Sequence, residues 1–207
     1  MCSALSRFIP AALLLLLLIF ALDYKWGSLP RIAPFFSPFE GFWVQAAGAE
    51  PPSGQLNFGL PGLKEAVDVS YDTLGVPHIF AQNDHDLYFM QGFVTARDRL
   101  WQMEIQSYEA SGRLSEILGP SMLDYDRYQR NFGKMYGAEQ LLEVLNQDST
   151  TKNMVQAYTE GVNAWINTLD NRRDYPIEYK LLDIEPEQWT PLKSALLMMS
   201  MTYTLAG

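Results

Sequence analysis

The sequence predicts an α+β fold that is mainly helical and carries one β-hairpin. Three observations predict it. Apolar residues recur at helical spacing through several long stretches after residue 84, and strict alternation is confined to residues 66–80. The chain has 207 residues, of which 48% are hydrophobic and 19% charged, enough to enclose a sizeable core.

The first element is the uncharged run FIPAALLLLLLIFAL at residues 8–22, which follows Arg7 and fits the apolar core of an export signal. At ~1.5 Å per residue it covers ~22 Å, less than a bilayer's ~30 Å hydrocarbon thickness, although Tyr24 and Trp26 extend it toward the interface. Residues 1–26 therefore read as a cleaved signal peptide or as an uncleaved membrane anchor. Either reading places the remainder outside the cytoplasm, periplasmic or facing that side of a membrane.

Residues 27–63 are punctuated by Pro30, Pro34, Pro38, Pro51, Pro52 and Pro61 and by Gly41, Gly48, Gly54, Gly59 and Gly62, and read as a linker. The segment also carries Phe35, Phe36, Phe39, Phe42 and Trp43. That is more aromatic surface than a free tether exposes, so part of it is expected to pack on the domain or on a membrane.

The domain proper spans residues 64–207. In AVDVSYD, Val67, Val69 and Tyr71 alternate with Asp68, Ser70 and Asp72, and VPHIFA resumes after a TLG turn, which together predict a hairpin. Residues 84–111 predict a helix capped by Asp84. At about 100° per residue its apolar side chains fall on two stripes, so it is covered on two sides.

That helix carries Arg97, Asp98, Arg99 and Glu104. Arg97 and Glu104 project into the apolar arc, whereas Arg99 points to the polar face with Gln102 and Gln106. An unpaired buried ion costs several kcal/mol (order of magnitude), so these charges read as a structural ion network held by groups from elsewhere, with ligand contact as the alternative. Beyond it, GRLSEILG is a short closed element, and residues 138–146 and 149–170 are helical, the latter capped by Ser149 or Thr150. TPLKSALLMMSMTY begins with Thr190 at the cap and Pro191 in the first turn, and its apolar side chains surround nearly the whole circumference.

The charge balance, 24 acidic against 15 basic residues and a net −9, leaves no basic cluster to follow a phosphate backbone, which sets nucleic acid aside. Cys2 has no disulfide partner, and His78 and His85 sit in no zinc-type motif. There is no GxSxG nucleophile elbow and no phosphate loop. His78 reads as packed or backbone-bonded, and Glu185 and Glu187 read as a solvated turn rather than an acid/base pair. No catalytic residue and no metal ligand emerges: the chain looks like most of a domain without an active site.

Five pieces, GVPHI, QGFVTARDRLWQM, SGRLSEILG, YTEGVNAWI and EPEQWTP, arrive in an order and spacing that closely resemble the α chain of the penicillin acylase family of N-terminal nucleophile hydrolases. The resemblance covers residues 64–207. It implies an αββα sandwich to which these residues add mainly helices, and a precursor cut autocatalytically into α and β chains. It also implies a nucleophile that is the new N-terminal serine of the β chain, which would therefore be the partner, with a small-molecule acyl amide as substrate. In such an enzyme the free α-amino group, with a reference pKa of about 7.7–8.0, serves as the base, so no histidine is needed.

Counting from Trp189, the family's acyl-pocket positions fall on Thr202, Leu205 and Ala206, where phenylacetyl-preferring members have Met, Arg and Phe. Those replacements argue against a benzyl-type pocket. The resemblance implies no cofactor in this chain but a calcium site in the complete enzyme, its acidic α-chain ligand falling a few positions past Gly207. It also makes Arg97, Asp98 and Arg99 part of a structural A-x-DRL segment, and the chain an α region that stops short of its β chain. The competing expectation is a membrane-tethered helical binding or assembly module without catalysis.

Overall fold

A computed structural model describes residues 2–27, 29–47 and 54–206. In chain order the elements are α1 (Cys2–Asp23), α2 (Ala33–Phe36), α3 (Phe42–Ala47), β1 (Gly54–Phe58), β2 (Val67–Tyr71), β3 (Pro77–Phe80), α4 (Asp84–Ser111), α5 (Leu114–Leu118), α6 (Leu123–Asn131), α7 (Lys134–Leu145), α8 (Ser149–Ile166), α9 (Ile177–Leu182) and α10 (Pro191–Ala206). The predicted character holds: helices dominate and the β structure is small.

The hairpin forms where alternation placed it. β2 pairs antiparallel with β3, Val69 opposite Ile79, and the turn between them is closed by Asp72, whose Oδ1 accepts from the amides of Leu74 and Val76. Val67, Val69 and Tyr71 turn inward onto Phe89, Met90, Phe93 and Val94 of α4, as period-two burial requires. The sheet is wider than expected, however. β1 pairs antiparallel with the other edge of β2, Leu56 opposite Val69, within the segment that reads as a linker. Leu56 and Phe58 alternate with Gln55 and Asn57, but over only five residues between prolines and glycines, a pattern too short to displace the linker reading.

α4 is the axis of the molecule. Its cap falls one residue before the expected Asp84, with the Asn83 side chain accepting from the Asp86 amide at 3.0 Å, and it ends at Gly112, whose φ of 66° is the left-handed conformation that glycine tolerates. A break at Arg99 (φ −143°, ψ 24°) divides it. Its first half meets the sheet, its middle meets α8, α9 and Trp189, and its last turns meet α7 and the first half of α10.

Glycine makes the α4–α8 seam. A Cβ on Gly161 would lie 1.8 Å from the Phe89 carbonyl oxygen, and one on Gly92 would lie 2.2 Å from that of Tyr158, so the two backbones approach closer than any side chain permits. α8 is capped by Asp148, whose Oδ2 accepts from the Thr151 amide at 2.7 Å, rather than by Ser149 or Thr150. Among the described residues, no helix is long and apolar enough to cross a membrane.

Candidate functional site

Three of the five sequence pieces, together with Glu104, which directly follows QGFVTARDRLWQM, converge on one buried polar cluster. Glu104, on α4, is almost wholly enclosed. Its carboxylate accepts a hydrogen bond from the Tyr179 hydroxyl of α9 and one from the Glu187 backbone amide at 3.0 Å. Burial outweighs those bonds and raises the Glu104 pKa above the ordinary carboxylate value; it also raises that of Tyr179, with the adjacent Glu104 charge adding to the effect.

Glu187 is the second node. It accepts from Tyr108 Oη at 2.9 Å, Arg113 Nη2 at 2.8 Å and Lys193 Nζ at 2.9 Å. Led by the Arg113 hydrogen bonds, these hold its pKa down to about 2. Arg113 also grips Glu116 and lies over the Tyr108 ring, 4.6 Å from its centroid. Beside this cluster, Asn163 of α8 pairs with the Trp189 backbone in both directions: its Nδ2 donates to the carbonyl at 3.0 Å and its Oδ1 accepts from the amide at 2.7 Å. The loop before α10 is thus fastened to α4, α8 and α9 at once.

The charged residues expected to form one network do not all meet. Glu104 is held from elsewhere in the chain. Arg97 is instead paired with its own neighbour, Asp98, at 2.7 Å, and its guanidinium lies 5.1 Å from the centre of the Tyr71 ring. Arg99 lies at the helix break, exposed, with Nη1 3.4 Å from Gln102 Oε1. Both Arg97 and Glu104 face the covered side, but the counter-charge of Arg97 is local, whereas the partners of Glu104 lie on α9 and in the loop before α10.

Other readings change as well. Glu187 is the centre of an ion cluster rather than part of a solvated turn, while Glu185 is exposed. His78 is exposed on β3 with Nε2 3.6 Å from Asp72 Oδ2, not packed. Two buried aspartates escaped the sequence reading. Asp86 accepts from the amides of Lys64 and Glu65, both at 2.9 Å, and Asp126 accepts from those of Leu114 and Ser115 at 2.9 and 2.8 Å. The only sequence signal was an acidic residue one turn from a helix start, which reads equally well as a solvated charge.

Thr202, Leu205 and Ala206 lie together on the last turns of α10, all exposed, with Leu205 at 82% of its free surface. Thr202 Oγ1 donates to the Met198 carbonyl at 2.9 Å. The same end exposes Met198, Met201 and Tyr203, and Tyr203 stacks edge-on with Phe132, 4.9 Å between centroids. Among the described residues, no group of three or more His, Cys, Asp or Glu side chains could hold a metal ion.

Nothing in this geometry attacks a bond; it fixes a loop and presents an apolar helix end. A family model described as penicillin amidase matches residues 66–207, from the start of the hairpin through α10. The chain belongs to the penicillin amidase family. It is 40% identical over 152 residues to the penicillin acylase 2 proenzyme of a Pseudomonas species, covering 73% of this chain and 19% of that one. It is 32% identical over 160 residues to the acyl-homoserine lactone acylase QuiP of Pseudomonas aeruginosa, covering 77% and 18%. The solved thermostable penicillin G acylase from Alcaligenes faecalis superposes with a TM-score of 0.60 at 25% identity, covering 73% of this chain and 76% of that one. The chain spans about a fifth of the length of the curated relatives it matches.

Proposed function

We propose that this chain supplies the α-chain part of an exported amidohydrolase that cleaves linear amides of N-acyl compounds of the penicillin, cephalosporin or acyl-homoserine lactone type. The attacking hydroxyl belongs to the N-terminal serine of a β chain from the same precursor, whose α-amino group takes up the proton. The two chains together form the αββα sandwich, with calcium, where the complete enzyme binds it, drawing ligands from outside residues 1–206. Residues 1–26 serve as export leader or anchor.

The observation that carries this reading is the exposed end of α10. The buried cluster fixes the start of the helix, so the position of Thr202, Leu205 and Ala206 is set by rigid structure and not by a loop, as a pocket wall requires. Those side chains then line one side of the acyl pocket and the β chain lines the other. The smaller side chains at 202 and 206 suit an acyl group other than phenylacetyl.

The test is to express the coding sequence through and beyond codon 207, follow the product by mass spectrometry, and assay amide hydrolysis over a panel of acyl groups. Two chains with a serine at the new N-terminus and turnover of at least one acylated amine are expected. An uncut product without amidase activity would overturn the reading and favour a tethered binding module.

A further inference from the structure

The segment between α1 and the sheet is fastened to the domain rather than slung from it. Lys180 of α9 is fully buried, and its Nζ donates to the Glu40 carbonyl at 2.7 Å and to the Arg173 carbonyl at 2.6 Å. Gln45 Nε2 donates to the Tyr175 carbonyl at 3.0 Å, and Arg31 Nη2 pairs with Asp183 Oδ2 at 3.1 Å. The segment is joined equally closely to α1, where the Ile32 amide donates to the Leu22 carbonyl at 2.9 Å.

These fastenings use polar atoms and leave the aromatic side chains uncommitted. Phe36, Phe39 and Trp43 retain 61%, 76% and 70% of their surface, and a chain of ring contacts runs from Phe36 through Phe35 and Phe42 to Trp43. The patch continues through Tyr24 and Trp26, which contact each other at 5.1 Å, onto the bare leucines of α1.

We propose that residues 29–47 form a collar that seats the domain on a lipid surface, with Phe36, Phe39 and Trp43 at headgroup depth and α1 among the acyl chains; this rests on reading residues 1–26 as a retained anchor. The occupant is lipid because Leu13 through Phe20 are exposed on every side of α1. A protein groove covers one stripe of a helix, whereas acyl chains surround it. Tryptophan and tyrosine beside such a helix are the side chains that favour the membrane–water boundary. Entry into the bilayer is enough, and a complete crossing is not required.

The collar can be tested with the full chain carrying Cys2→Ser and a single fluorophore-labelled cysteine at Leu16, Phe39, Trp43 or Glu139. The protein is diluted from detergent with or without vesicles of phosphatidylethanolamine and phosphatidylglycerol in equal parts. Emission at positions 16, 39 and 43 should rise several-fold and shift to the blue only with vesicles, while position 139 on α7 stays unchanged. Adding Gln45→Ala should weaken the response at 39 and 43 and spare that at 16. A response at 16 alone would overturn the collar and leave the anchor standing. Responses at 39 and 43 that grow with protein concentration in the absence of vesicles would assign the patch to a second copy and overturn the proposal, and silence at all positions would overturn collar and anchor together.

Discussion

The α4–α8 seam and the last turns of α10 are both rich in apolar side chains, yet one is closed to backbone contact and the other lies open. At the seam, Gly92 and Gly161 let two helices touch, and Phe89, Phe93 and Val162 lose nearly all their surface. On α10, Ala195 and Leu196 are buried against Ala110 and Ala138, while Met201, Tyr203 and Leu205 are bare one to two turns later. Apolar composition says that a helix needs cover; only a facing element decides where the cover is. The closed region contributes stability, and the open one is the surface that the proposed β chain would cover.

The largest effect should come from closing the gap at the seam. Gly161→Val places a side chain against the Phe89 carbonyl, where only backbone movement relieves the clash, and should cost more than about 3 kcal/mol in chemical denaturation. A smaller loss would mean that the seam is less tight than the structure has it.

Next comes the buried cluster. Glu104→Leu strands the Tyr179 hydroxyl and the Glu187 amide without an acceptor and should cost about 2–4 kcal/mol, with the loss seen in folding or maturation rather than acyl preference. Arg97→Met, by contrast, releases a neighbouring Asp98 that water can solvate and gives up the cation contact over Tyr71 while keeping its apolar packing, and should cost less, about 1 kcal/mol. Equal effects from the two substitutions would restore a single shared network.

The pH dependence has two opposing parts. Asp86 and Glu187 have lowered native pKa values, so their contribution is present above their ordinary values near 4 and is lost as pH falls toward the native ones. Glu104 has a raised native pKa, so its contribution is complete below its unfolded value of 4.5 and fades as pH rises through the native one. The stability deficit of Glu104→Gln should therefore shrink as pH rises above 4.5, whereas that of Asp86→Asn should grow as pH rises toward 4 and level off above it. Denaturation midpoints across that range check both signs.

The smallest effect belongs to the open face. Leu205→Ser should change the stability of residues 1–207 by less than about 0.5 kcal/mol, because the side chain has nothing to lose. Leu196→Ser, nine residues earlier on the same helix, should cost several times more.

What the sequence made legible follows from how each contact is encoded. Period-two alternation placed β2 and β3, and helical periodicity placed α4, α8 and α10, because burial of a side chain leaves a trace in the pattern. The projection of Glu104 into an apolar arc disclosed a buried acid with partners elsewhere. Asp86, Asp126 and Lys180 stayed hidden because their partners are backbone groups of other segments, and a backbone amide or carbonyl has no sequence signature. β1 was missed because its alternation is only five residues long, and Arg97 was given a partner from elsewhere although its carboxylate partner is the adjacent Asp98. Three of the quoted pieces hold residues of the cluster or of its Trp189 clamp: Arg113, Asn163 and Glu187.

The most direct test of the account measures whether the end of α10 becomes covered. With Cys2→Ser and Leu205→Cys, thiol labelling should be fast in residues 1–207 alone and at least about tenfold slower when the same residues are made together with the coding sequence that follows codon 207. Equal labelling rates in the two proteins would show that no companion chain closes on this helix, and would contradict the account.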